Sequence, residues 1–332
     1  MPTDQFIGVS YDLHQANGKS IYLPPWYSGE LGWGNLESPN VYRADGATQK
    51  YPAGTRYTDG ERVWYYGKWI GQISSTEFDT ALQAPNSTAL TVTAGRFMFA
   101  HVFQQDYSNA DLNRHLANEQ HTVIVATASE ARSDDYYSGG WFSGKDTGDN
   151  NRPFHRFIVK HEFDATGQAA QKILNGVTGV VTEVDLSALS NVSVLELERE
   201  IITSKTTLAT TIMPNSWKHM IYKTQGETVQ FQPALGALMP NAVDQNDWVW
   251  VQTYGPIFIP WAFVEFSGAL TGEIMFKISG DGSTSPQHSG APSPADGSTW
   301  QTAGWAMGSS AMEAGTSGTD EELVMMFLTL RR

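Results

Sequence analysis

The chain has 332 residues, of which 40% are hydrophobic and 12% aromatic, with a formal net charge of -14 at pH 7 and no cysteine. So acidic a balance argues against a nucleic-acid surface, which needs Lys and Arg to neutralise phosphates. The missing cysteines exclude disulfides, a thiolate nucleophile and a cysteine metal site.

Taken in order, residues 1–45 predict an extended, irregular arm, rich in glycine and aromatics and without a period of 3.6. Residues 1–10 lack the basic start and apolar core of a signal peptide. No apolar run approaches the roughly 20 residues that span a bilayer. The expectation is therefore a protein made in the cytoplasm, with no membrane partner. Within the arm, Trp26, Tyr27, Trp33 and Tyr42 are the candidate contact residues, because aromatics concentrate at interfaces. An arm of this kind is expected to be removable without unfolding the body.

The body, 46–332, predicts an all-β fold, a barrel or sandwich of many short strands with long loop insertions. An inserted β subdomain is expected around 84–245. Asp59-Gly60 marks a hairpin between Gln49–Arg56 and the strand Arg62–Tyr66. Strands are expected at Ala89–Ala94, Gly95–Phe103, His121–Thr127, Phe154–His161, Val180–Leu186 and Val192–Ile202. One short helix is expected over Asp111–Gln120, capped by Asn109. Trp248–Pro260 is the strongest strand signal, alternating Trp248, Trp250, Gln252 and Tyr254 against Val249, Val251 and Thr253, with Gly255-Pro256 punctuating the run. Phe263–Phe266, Glu273–Ile278, Trp300–Met307 and Leu323–Leu330 complete the set, and Gly280–Gly297 is expected to be a flexible loop.

Residues able to do chemistry are few. Asp146–Asn151 resembles a calcium loop, but the twelfth position from Asp146 is Phe157 where a bidentate Glu is needed. His155 and His161 lie six apart on one strand, on the order of 20 Å, too far to share a metal. Glu196, Glu198 and Glu200 alternate with mostly apolar residues, the pattern of a solvated strand face. No nucleophile elbow, phosphate loop or dinucleotide fingerprint is present. The expectation is no catalytic residue, no cofactor and no metal.

Several stretches together resemble a family of tailed-phage virion proteins of the capsid decoration, or cement, type. They are Gln49–Arg56 with Asp59–Tyr66, Tyr136–Trp141 with Phe157–His161, Ser204-Lys205 and Pro214-Asn215, Trp248–Pro256, and finally Gly304–Gly308 with Leu323–Leu330. They occur in the family's order and span Gln49 to Leu330. The arm, Phe97–Gln120 and the loop near Gly290 are longer than the family pattern. The resemblance implies a structural protein without an active site, located on the virion and bound to the outer surface of the shell. Its partners would be the major capsid protein and copies of itself, as a homo-oligomer such as a trimer. Two other classes fit the composition, namely another virion component of tail or shell, and a carbohydrate-binding β-module or glycan-cleaving enzyme. A shell protein of the common phage fold should show a long spine helix, and no long amphipathic pattern appears here.

Overall fold

The computed structural model describes residues 12–14, 18–24, 39–73, 92, 94–100, 105–111, 120–127, 134–145, 153–164, 171–174, 181–184, 192–202, 207–223, 233–240, 244–260, 275–278, 284–286, 302–307 and 323–330. Among the described residues the fold is all-β, and the chain divides into two compact units. The first strands are β1 (Asp12–His14), β2 (Ser20–Tyr22), β3 (Arg56–Thr58), β4 (Val63–Ile73) and β5 (Phe97–Ala100). An inserted unit, Val102–Asn215, holds β6 (Gln105–Asp111), β7 (Gln120–Thr127), β8 (Trp141–Lys145), β9 (Pro153–Asp164), β10 (Gln171–Leu174), β11 (Val181–Val184), β12 (Val192–Ile202) and β13 (Thr207–Met213). The chain then returns to the first unit with β14 (Met220–Lys223), β15 (Ala234–Leu238), β16 (Trp248–Pro260), β17 (Met275–Ile278), β18 (Thr284–Pro286), β19 (Thr302–Ala306) and β20 (Leu323–Thr329).

In the first unit β4, β14, β5, β15 and β16 follow one another, and β16 pairs back onto β4. The ring is a closed five-stranded barrel, which removes the open edges that a flat sheet would present. Two long strands make closure possible by changing partners along their length. Val63–Lys68 of β4 pairs with β16, and Trp69–Ile73 pairs with β14. The first half of β16 pairs with β4 and β15, and Tyr254–Pro260 pairs with β20. From β4 the sheet extends outward through β3, β2 and β1, and from β16 through β20, β19, β17 and β18.

The alternation of β16 buries aromatics on one face and valines on the other. Trp250 is 1% exposed, and its ring meets those of Tyr51, Tyr57 and Tyr66 at 5.2, 6.0 and 5.0 Å. Tyr66 also stacks on Trp248, and its hydroxyl donates to Asp45 Oδ2 at 2.9 Å. Burial and the Asp45 carboxylate together push the Tyr66 phenol far above its ordinary range, so it stays a donor. Val249 and Val251 are fully buried on the opposite side.

Trp248–Pro260 is one strand, as expected, and two other expectations change here. The strand runs through Gly255-Pro256 without a break. Gly255 takes a φ of +95°, where an added Cβ would meet the Glu61 carbonyl oxygen at 2.6 Å. The bend is held by the buried Gln252, whose Nε2 donates to the carbonyls of Tyr254 and Pro256. The arm is not wholly irregular, because β1 and β2 join the ladder of β3. Ile21, Leu23 and Val41 lie in the main core, so removing the arm would open it. Within the expected loop Gly280–Gly297, β18 pairs with β17. The Asp59-Gly60 hairpin forms as expected, with Arg56 opposite Tyr65 and Thr58 opposite Val63.

The inserted unit lies inside the bracket 84–245. Its main sheet runs β6-β13-β8-β9-β12-β7, beside a separate β10–β11 hairpin. Tyr137, Phe142, Ile158, Leu195, Leu197 and Ile212 form its core. Asn109 is not a helix cap, since it sits within β6, where the ladder with β13 shifts register. Long-range ladder bonds outweigh a local cap there. Of the helix expected over Asp111–Gln120, the two end residues belong to β6 and β7, and 112–119 lie outside the described residues.

Candidate interaction surfaces

The largest exposed apolar side chains among the described residues are Tyr42 at 59%, Phe258 at 55%, and Trp305 and Met307 at 47% each. Three of the four share one surface. In β16, β20 and β19, Phe258 is opposite Met325, Pro256 opposite Phe327 and Phe327 opposite Trp305. The Met307 N–H continues the same ladder by donating to the Met325 carbonyl at 3.1 Å. Residues directly opposite in a ladder share a face. Trp305 stacks on Phe327 at 6.1 Å, and Phe327 meets the Tyr254 ring edge-on at 5.1 Å.

The other face of the same strands explains why this one is open. Ile257, Ile259, Met326, Leu328 and Ala303 are buried in a second core with Phe97, Phe99 and Ile221. A sheet with one solvated face usually alternates apolar and polar residues. β20 instead reads Leu-Val-Met-Met-Phe-Leu-Thr, apolar on both parities. That double parity is visible in the sequence, but it does not say which face is covered. Sequence reasoning therefore does not single out Trp305, Met307, Phe258 and Phe327 as contacts.

Of the arm residues expected from sequence to make contacts, Trp26, Tyr27 and Trp33 lie outside the described residues. Tyr42 stands at the Asp59-Gly60 loop, where its hydroxyl accepts from Arg62 Nη1 at 2.9 Å. Arg62 in turn donates through Nε and Nη2 to Asp59 Oδ2 at 2.9 and 2.6 Å and lies over the Trp64 ring. Burial raises the Asp59 carboxyl pKa, but hydrogen bonds from the Arg62 and Glu61 N–H groups and the guanidinium outweigh it, and the net direction is down. The stabilisation is therefore present above the ordinary Asp pKa and is lost as pH falls through the depressed value. Asp59→Asn is expected to cost about 0.5–1 kcal/mol at pH 7, as for a part-exposed pair. The difference should shrink towards zero as pH falls through the depressed Asp59 value, where both proteins come to carry a neutral side chain. Urea unfolding of both proteins at a series of pH values from 7 downwards into the acid range checks it, and a pH-independent gap would rule the charge out.

The histidines and carboxylates of the inserted unit do not converge on a metal. Among the described residues no group of three potential ligands forms, and Asp146–Asn151 lies outside them. His161 is buried against the Tyr137 ring with its Nε2 3.0 Å from Ser193 Oγ. His155 is exposed, bonded through Nδ1 to Ser143 Oγ, and stacked on Trp141, which also stacks on Phe157. Desolvation within this stack lowers the His155 pKa, favouring the neutral ring at pH 7. The expected solvated carboxylate face is corrected. Glu196 is 7% exposed with Lys160 Nζ at 3.9 Å, and Glu198 accepts from the Phe157 N–H at 3.1 Å. The β12–β9 ladder shifts register between Glu196 and Leu197, beside these two carboxylates, one of which meets a side chain of β9 and the other its backbone.

Compared with models of known protein families, with curated proteins and with solved structures, the chain has no match in any of the three.

Proposed function

We propose that this chain is a structural protein of a phage virion, a decoration protein that binds the outer surface of the capsid shell and stabilises it. Its partners are the major capsid protein and further copies of itself, and it carries no catalytic residue, cofactor or metal. One observation carries this reading. The stretches that resemble the decoration family are far apart in sequence but neighbours in the ladders. The hairpin strand Val63–Tyr66 pairs with Trp250–Tyr254, residues 254–260 pair with 323–329, and those pair with Gly304–Ala306. In the inserted unit Trp141 of one such stretch is opposite Phe157 of the next. Short similarities arising by chance have no reason to fall on hydrogen-bonded partners. The acidic balance of the chain supports the reading too, since like charge keeps an external coat protein soluble before it binds.

The test is sedimentation of the purified full chain with capsids of its phage lacking their coat. Saturable pelleting at a fixed copy number per capsid protein, with a raised temperature of shell disruption, is the expected result. No pelleting at tens of micromolar would overturn the reading. Retention on a glycan array would then favour the carbohydrate-binding class, and incorporation into tails another virion role.

A further inference from the structure

We infer that the outer face of β16, β19 and β20 is where a second copy of this chain packs, face to face across a two-fold axis. The inference gives the self-contact of the decoration reading a location, and rests on that reading for its biological use.

Three properties of the face select this occupant. First, its side chains, Pro256, Phe258, Trp305, Met307, Met325 and Phe327, include no charge, on a chain whose net charge is -14. Two copies approaching through most of their surface bring like charges together, and this face lets them meet without that cost. A basic partner would be recognised through carboxylates, which these positions do not supply. Second, the composition is that of a homodimer interface. Interfaces between proteins that also live apart are about as polar as ordinary surface, whereas homodimer interfaces are more apolar and rich in aromatics and Met. Third, the area suffices. Phe258, Trp305 and Met307 are each about half exposed. With their part-buried neighbours they offer on the order of 500 Å², so a two-fold contact buries about 1,000 Å², the lower bound for a specific interface. A two-fold contact places the same patch on both sides, and flat sheet faces pack in this way at about 10 Å.

Analytical ultracentrifugation of the full chain between 0.1 and 50 μM, in buffer of physiological salt, tests the inference. The wild type is expected to form dimers, or a closed assembly built from them. Phe258→Asp and Trp305→Asp should each weaken association at least 100-fold. Met307→Asp, just beyond the end of β19, perturbs the fold least and should weaken it at least 10-fold. Thr48→Asp, at an exposed residue outside this face, should leave association unchanged. Because the chain has no cysteine, Met307→Cys carries a single spin label, and a dimer through this face gives one narrow interlabel distance. A wild type monomeric at 50 μM overturns the inference, as do aspartate variants that stay folded by circular dichroism and associate normally. If the wild type is monomeric but Trp305→Asp abolishes pelleting with shells, the face belongs to the capsid protein and the inference is wrong while the decoration reading stands. Dimers through this face that ignore shells uphold the inference and overturn the decoration reading.

Discussion

Replacing Trp250 with alanine is expected to cost about 3–5 kcal/mol, the range for removing a fully buried tryptophan. Its ring is the meeting point of Tyr51, Tyr57 and Tyr66, contributed by the loop before β3, by β3 and by β4. Truncation therefore leaves a void among three rigid rings, which have few rotamers with which to close it. Edge-on and tilted ring pairs add roughly 0.5–1.5 kcal/mol each beyond area burial, and several vanish together. Domains have only about 5–15 kcal/mol of stability in all, so the variant should sit near the edge of folding. Urea denaturation followed by far-ultraviolet circular dichroism measures the loss without relying on tryptophan emission. Trp250→Phe keeps a ring in place and should lose less than half as much. A Trp250→Ala midpoint equal to that of the wild type would mean that the ring is not in the core.

The second large effect is expected at Gly304. An added Cβ would lie 1.9 Å from the Phe327 carbonyl oxygen and 3.2 Å from Leu328 Cα, and the φ of +156° disfavours any side chain. The obstacle is backbone of the neighbouring strand, so no rotamer change relieves it. Gly304→Ala must push β19 off β20, at a cost on the order of 2–4 kcal/mol. Hydrogen exchange should then show lost protection over residues 302–306 and 323–329. Gly46→Ala is the control, since its φ is +69° but nothing lies within 4 Å of the added atom. It should cost only the roughly 1–2 kcal/mol of left-handed strain. Equal effects at the two glycines would argue against the close approach of β19 to β20.

The parts of the fold legible in the sequence are those where local chemistry and tertiary context agree. Alternation announces Trp248–Thr253, and Asp59-Gly60 announces the hairpin that follows β3. Gly255-Pro256 is legible as a punctuation of that strand, but nothing local reveals that Gln252 will bridge the carbonyls of Tyr254 and Pro256 across it. Met220–Lys223 and Ala234–Leu238 escape notice for a related reason. They are four and five residues long, and Gly236 within the second is no strand former. They are strands because the barrel needs members between β4 and β16. Ile21 and Leu23 read as part of a detachable arm because one buried residue in a three-residue strand and one just beyond it give no period. The candidate surface is half legible. The aromatics of β19 and β20 fall in stretches that resemble the family, but periodicity cannot separate a face turned to the core from an equally apolar face turned to water.

The closed ring has a kinetic consequence. Thr253 Oγ1 donates to the Val63 carbonyl across 190 residues of chain, and the β4–β16 ladder around it spans similar separations. Entropy opposes closing so long a loop before any contact rewards it. Folding that depends on such pairing belongs to the slow end of the range, milliseconds to seconds. The inserted unit interrupts that loop with contacts of its own, and its early collapse would draw the two barrel strands closer. During synthesis β4 waits, unpaired on that side, until almost three quarters of the chain has been made. Its aromatic run Trp64-Tyr65-Tyr66 is exposed to other nascent chains for that interval, so yield on expression should depend on translation speed and temperature more than on final stability.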